Sequence, residues 1–179
     1  RADPRGFLKA PPMSMHASTS DSRPTPSAEG TTLRACGFEV AGVCFAVDAA
    51  AVAEVLRAGR LTAVPLAAPA VAGLLHLRGR IVPVIDMRRG LGFPDADPPI
   101  SRTHLVLRLQ DDWYSLLVDE MLDVVEIPSD GVEHPTKPAA PREAVVGTYA
   151  ADDRLVHLLD PQRIVHGLVR HRVGSRSGA

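Results

Sequence analysis

The chain contains no asparagine and only two lysines, Lys9 and Lys137; the other 18 of its 20 basic residues are arginine. Together with abundant Ala and Pro, that skew reads as GC-rich coding bias. Aromatic residues are only 4% of the sequence, so a core must be assembled mostly from Val, Leu, Ala and Ile. Cysteine occurs twice, at Cys36 and Cys44. A disulfide or half a metal site stays open on that spacing, but two small buried thiols is the simpler reading. No apolar run approaches the roughly 20 residues of a membrane-spanning helix, and the first 20 residues lack the apolar segment of a secretory signal. The expectation is a soluble, intracellular protein without direct membrane insertion. The first residue is Arg, which reads as upstream mis-translation or a fragment, with Met13 and Met15 as candidates for the true start.

Catalytic spacings are missing as well. There is no G-x-S-x-G elbow, GK[ST] phosphate loop, H-E-x-x-H helix or strand-flanked G-x-G-x-x-G. His76, His104 and His157 fall within apolar runs and would make a metal site only if they faced one another; strand histidines facing solvent or satisfied in place are the simpler reading. Asp86 and Asp119 follow apolar runs and in principle could pair as acid and base, but repeat position and helix-start chemistry account for them better. The acids Asp111, Asp112, Asp119, Glu120, Asp123 and Glu126 lack the Asp/Asn and Gly alternation of a calcium loop and read as a solvated face. No enzyme, no cofactor and no metal are expected.

What is present is a long β-patterned segment. Hydrophobic residues make up 45% of the chain, enough for a real core. Residues 37–166 carry 18 acids and 12 bases, while the tails carry 3 acids and 8 bases, so a basic nucleic-acid face on the folded part is not expected. Residues 1–32, rich in Pro, Ser, Thr and Ala, read as a disordered extension, and residues 169–179 as a flexible basic tail. Between them, 33–168, strands are expected at Leu33–Val40, Val43–Val47, Leu61–Val64, Thr103–Leu109, Trp113–Val118, Met121–Ile127, Val145–Ala150 and Leu155–Leu159. Asp48 is placed to cap a helix over Ala49–Leu56, with Val52, Val55 and Leu56 as its apolar stripe and Gly59 as its stop. Pro128–Arg142 is a Pro-rich excursion, and Asp160 precedes a short helix over Pro161–Val165.

The most informative stretch is Val71–Gly92. Two apolar runs, Gly73–Leu77 and Ile81–Ile85, flank Arg78-Gly79-Arg80, which reads as a hairpin with a glycine-permitted turn. Pro83 places its strand at a sheet edge or beside a bulge, and Met87–Gly92 is one helical turn. Arg78 and Arg80 either solubilise the tip, or Arg78 pairs with a nearby acid, Glu54 being the candidate. A weak repeat runs through the chain. Phe45-Ala-Val-Asp48 matches Leu116-Leu-Val-Asp119 at an offset of 71; Gly73 and Asp86 match Gly147 and Asp160 at an offset of 74. Two similar halves, roughly 33–102 and 103–168, imply a mainly β fold of two small five-stranded SH3-like β-barrels packed together, with short helices. Strands are free to be exchanged between the halves. The second tip, Asp152-Asp153-Arg154, carries acids where the first carries Arg-Gly.

Val52–Leu56 (VAEVL), Val64-Pro65 and Gly73–Arg88 (GLLHLRGRIVPVIDMR) strongly resemble CheW, the chemotaxis coupling family. Leu116–Val125 (LLVDEMLDVV) and Leu155–Asp160 (LVHLLD) continue the likeness in order. His76 departs from the Asn common before Leu-Arg-Gly, and the Pro-rich excursion is idiosyncratic. The resemblance implies two five-stranded barrels around a shared core. It also implies a non-catalytic cytoplasmic adaptor, at receptor arrays beneath the inner membrane. Its partners would be methyl-accepting chemoreceptor tips and the regulatory domain of a CheA-type histidine kinase. Receptor helices would dock along the groove between the barrels, with Val52, Glu54, Gly73, Arg78 and Val124 at or beside it, and glycine at 73 permitting close approach. The alternatives are a CheW-like module of a larger kinase or coupling protein, or an unrelated β-barrel ligand-binding protein.

Overall fold

The computed structural model describes residues 31–97, 100–135, 142–151 and 154–170. The expectations for residues 1–30, for a start at Met13 or Met15, for the Asp152-Asp153 turn, for residues 136–141 and for the tail from 171 onward lie outside these residues.

Among the described residues ten strands form, in chain order: β1 (Thr32–Val40), β2 (Val43–Asp48), β3 (Val52–Arg57), β4 (Val71–Leu77), β5 (Arg80–Asp86), β6 (Thr103–Leu109), β7 (Asp112–Val118), β8 (Glu120–Pro128), β9 (Val145–Ala151) and β10 (Arg154–Leu159). Helix α1 (Met87–Gly90) follows β5, and α2 (Pro161–Arg170) follows β10. The β1–β2 and β4–β5 hairpins turn where X-Gly pairs supply left-handed backbone. Ala41-Gly42 has φ of 53° and 79°, and Arg78-Gly79 has 50° and 80°, the pair of positive angles a two-residue hairpin loop requires. Asp86 caps α1 by accepting from the Arg89 N–H at 3.2 Å. Asp160 caps α2 by accepting from Gln162 and Arg163 at 2.8 and 3.2 Å.

The strands assemble into two five-stranded sheets, ordered β8-β1-β2-β10-β9 and β3-β6-β7-β5-β4. Replacing β1–β5 by β6–β10, and the reverse, converts one order into the other, so the weak sequence repeat is a structural one. Neither sheet belongs to one half of the chain: β3, β4 and β5 join β6 and β7, while β8, β9 and β10 join β1 and β2. Each sheet closes on itself through one isolated bridge. The segment after β3 reaches the far edge strand at Thr62–Leu74, and the segment after β8 does so at Glu133–Thr148. We refer to the β1-containing sheet as the first barrel and the β6-containing sheet as the second.

Three expectations are corrected. Ala49–Leu56 is not a helix. Asp48 does cap, accepting from Ala50 N–H at 2.9 Å, but only a single 3-10 turn over Ala49–Ala51, after which β3 begins. The i, i+4 pair Val52 and Leu56 fits an alternating strand equally well, and pairing with β6 decides for it; the tertiary partner overrides local helix propensity. Val55, assigned to the helical stripe, is exposed. Second, Leu61–Val64 contributes only the Thr62 bridge. Third, the last helix, expected over Pro161–Val165, runs on to Arg170. Pro83 takes the second of its two expected places: β5 is an interior strand, but Pro83 stands next to the register shift at Val71/Gly73, and the parallel pairing with β7 starts only at Val84.

Alternate residues of each strand face different cores. Phe38, Phe45, Ile85, Leu105, Leu116 and Ile164 pack into one apolar cluster shared by the two barrels and α2. Ala35, Ala46, Ile127, Val156 and Leu158 fill the first barrel, and Leu75, Val82, Val84 and Leu117 the second. Strands covered on both faces read as unbroken apolar runs, which is why Phe45–Val47 and Leu116–Val118 show no alternation.

Candidate protein-docking site

The β4–β5 turn holds Arg78 at the tip of the second barrel. Its Nη2 donates to Glu54 Oε1 at 3.0 Å, the guanidinium 76% exposed and the carboxylate 28%. Glu54 is delivered by β3, at the opposite edge of the same sheet from β4, and closure of the barrel is what brings the two together. An ion pair this exposed contributes about 0–1 kcal/mol to stability. Its effect is orientation: one donor is used on Glu54, and a guanidinium has five N–H groups to offer. Arg80 is engaged differently, lying 5.2 Å over the Trp113 ring.

The remaining residues implied by the resemblance are placed as follows. Val52 is half-buried against the shared core. Val124 is 50% exposed on β8, in the first barrel, opposite Cys36. Gly73 is buried, with φ of +153°, and a Cβ there would stand 2.7 Å from the Thr62 carbonyl oxygen. The close approach it permits is therefore by the chain's own barrel-closing segment. Its repeat counterpart Gly147 does the same for the other closure, facing Val132 and Glu133.

A buried ionic junction escaped the sequence reading. Asp119, assigned above to a solvated acid cluster and to helix-start chemistry, is 7% exposed and begins no helix, since β8 starts at the next residue. Its carboxylate accepts from Arg88 Nε at 2.8 and 2.9 Å and from Nη2 at 2.6 Å, and from the Ala41 N–H at 2.7 Å. Arg102 grips Asp86 with two bonds of 2.7 and 2.9 Å, donates to the Leu117 carbonyl at 3.0 Å, and brings its Nε within 3.5 Å of Asp119. Two acids held by two arginines are a structural junction. The local signal was Asp86-Met87-Arg88-Arg89, a capping acid followed by two cations, but the partner of Arg88 lies 31 positions away.

The three strand histidines do not converge. His76 is exposed on β4. His157 packs against Phe45, and His104 is fully buried with Nδ1 2.9 Å from Ser115 Oγ. Among the described residues no group of three or more His, Cys, Asp or Glu is placed to hold a metal ion. Cys36 and Cys44 are free and half-buried rather than buried. They lie opposite Val47 and Glu39 in the β1–β2 register, too far apart along the ladder to pair.

Burial, and secondarily the Arg102 charge, push the His104 imidazole below its ordinary value. Burial alone would push Asp86 up, but the bonds from Arg102 and the Arg89 N–H, with both guanidinium charges, outweigh it and hold the carboxyl below the usual range. Both groups take up protons more readily in the unfolded chain, so each contributes stability at high pH that acid removes. Unfolding free energy is expected to be level above about pH 7, to decline once pH falls below about 6.5 as unfolded histidine protonates, and to decline again below about 4. Denaturant titrations from pH 8 to 3 check this; a level profile from pH 7 to 5 would contradict a buried neutral His104.

Two closed five-stranded β units, with an orienting ion pair on the surface and their buried charges used to join them, define a two-barrel protein-binding module. The comparisons with known proteins agree. A family model described as the CheW-like domain matches residues 34–169. The chain is 28% identical over 126 residues to the probable chemotaxis protein CheW of Rhizobium etli, covering 69% of this chain and 81% of that protein. It is 28% identical over 128 residues to chemotaxis protein CheW of Thermotoga maritima, covering 72% and 84%. It also resembles protein PilI of Pseudomonas aeruginosa, at 32% over 94 residues and about half of each chain (52% and 53%). The crystal structure of the scaffolding protein TtCheW from Thermoanaerobacter tengcongensis superposes with a TM-score of 0.68 at 23% identity, over 75% of this chain and 92% of that one, and shows the same fold. The chain belongs to the CheW-like family, the non-catalytic chemotaxis adaptors that couple receptors to the CheA kinase. No helix among the described residues is long and apolar enough to cross a membrane.

Proposed function

We propose that this chain couples methyl-accepting chemoreceptor tips to the regulatory domain of a CheA-type histidine kinase, in the cytoplasm at receptor arrays beneath the inner membrane. It does so through a docking face organised by Arg78 and Glu54. The observation that carries the reading is an exposed guanidinium held in a fixed direction by a carboxylate from another strand, at 3.0 Å. Such a group adds little to the fold and much to recognition. Val52 and Val124 add apolar contact from the two sides of the groove between the barrels. Gly73 acts indirectly, by letting the barrel close beneath the tip. No chemistry is required of the adaptor: by gripping both partners it makes kinase activity depend on receptor conformation, and weak contacts gain strength by being linked.

Arg78→Glu tests the face. It removes the oriented donor and sets two acids side by side, so receptor capture is expected to fall about tenfold or more, roughly 1.4 kcal/mol or above. The circular dichroism spectrum should be unchanged, because the pair is exposed. Receptor capture equal to that of the parent chain would remove the role assigned to Arg78.

A further inference from the structure

The barrels meet across an apolar core that draws on both sheets. Apolar burial is non-directional, although close packing limits how the two bodies sit. The polar junction adds contacts with a set direction. The chain leaves the second barrel at Val118 and enters the first at Glu120, so Asp119 alone spans the crossing. Its carboxylate is shared between the two bodies. From the first barrel it accepts the Ala41 N–H, in the β1–β2 turn; from the second it accepts both Nε and Nη2 of Arg88. Its own N–H donates to the Glu39 carbonyl at 3.0 Å. Arg88 is itself held, its Nη1 donating to the Pro94 carbonyl at 3.1 Å.

The repeat provides an internal comparison. At the other crossing, from β2 to β3, the counterpart Asp48 is exposed and caps the turn Ala49–Ala51, and three residues span the gap. One crossing is three residues long with a solvated acid; the other is a single residue with its acid clamped. Ala41, at φ of 53° like Gln110 at 57° in the counterpart β6–β7 turn, differs from it in donating its N–H to the crossing carboxylate.

We propose that the Arg88–Asp119 clamp fixes the angle between the two barrels and so positions the docking face, whose Glu54 and Arg78 lie on one barrel and Val124 on the other. The second half of this rests on the docking reading above; the first does not. Asp119 and Arg88 are positioning residues that act through the barrels they join.

The test uses the full chain with Cys36 and Cys44 replaced by Ala and spin labels on cysteines introduced at Ile81 and Leu155. These are exposed repeat counterparts, one on each barrel. In the Arg88→Met/Asp119→Asn variant no charge is left unpaired, Asn retains an acceptor for Ala41, and Arg102 keeps Asp86. Its inter-label distance distribution, from pulsed dipolar spectroscopy, is expected to broaden roughly twofold, as for a hinge freed of a directional contact. Receptor affinity should fall about fivefold or more. Arg88→Lys keeps the charge and loses the two-point grip, so it should broaden the distribution less; it also serves if the double variant does not fold. A parental distribution width in a folded variant overturns the clamp. A broadened distribution with parental receptor affinity overturns its role in docking. Arg78→Glu leaves the clamp untouched, so its result decides the docking face separately.

Discussion

Asp119→Ala is expected to lower the unfolding free energy by about 2–3 kcal/mol, the cost of leaving a part-buried cation and a backbone N–H without their acceptor. For a domain of this size that is a fall in Tm of roughly 5–10 °C. The Arg88 side chain is 13% exposed, so water replaces the lost carboxylate only in part, and the Ala41 N–H loses its acceptor too. The contribution of the pair itself is much smaller, because burying two charges offsets most of their attraction. Removing both should therefore cost less than removing one, and Arg88→Met/Asp119→Asn should recover most of the stability lost in the single variant. Denaturant unfolding of the two variants checks the order. A single-variant loss below about 1 kcal/mol would mean the junction is solvated.

Gly73→Ala is expected to cost about 2–4 kcal/mol, combining backbone strain with a contact that cannot relax cheaply. The added Cβ meets a main-chain oxygen, that of Thr62, at 2.7 Å. That oxygen accepts the Leu74 N–H at 2.8 Å, while Thr62 N–H donates to the Leu74 carbonyl at 2.9 Å. Moving it opens the only described bridge that closes the second barrel, and with it the approach of β3 to the Arg78 tip. Gly79→Ala is the control. Its φ of +80° is also unfavourable for an L residue, but a Cβ there meets nothing within 4 Å, so its cost should stay near 1 kcal/mol. Equal costs at the two sites, measured by denaturant unfolding, would contradict the closure account. Receptor capture by Gly73→Ala should fall only in step with its folded fraction, since no partner needs to approach that glycine.

Much of this molecule is written locally. Apolar runs between Gly and Asp punctuation place most strands to within a residue or two, because turns depend on the residues that make them and strands on side chains two apart. The spacing of Phe45, Asp48, Gly73 and Asp86 and their counterparts marks the duplication, because each occupies a position with its own steric or capping demand. Even the Arg78–Glu54 pair was accessible as a candidate, an arginine at a hairpin tip with an acid on a segment leading toward it. The same local logic misassigned Ala49–Leu56, where alanine favours a helix and a strand partner from the other half of the repeat prevails.

By itself, then, the sequence determined most of the strands and turns, the twofold repeat and the resemblance of one charged hairpin to a known adaptor family. The tertiary structure alone decided that the halves exchange strands, because sheet membership depends on which unpaired edges meet, and a strand's own residues do not encode its neighbour. It alone put the Thr62 carbonyl against Gly73. It alone turned Asp119 from one more solvated acid into the clamp between barrels. Its partners come from 31 positions before it and from a turn 78 positions before it, and a carboxylate's role is set by what burial brings within 3 Å of it.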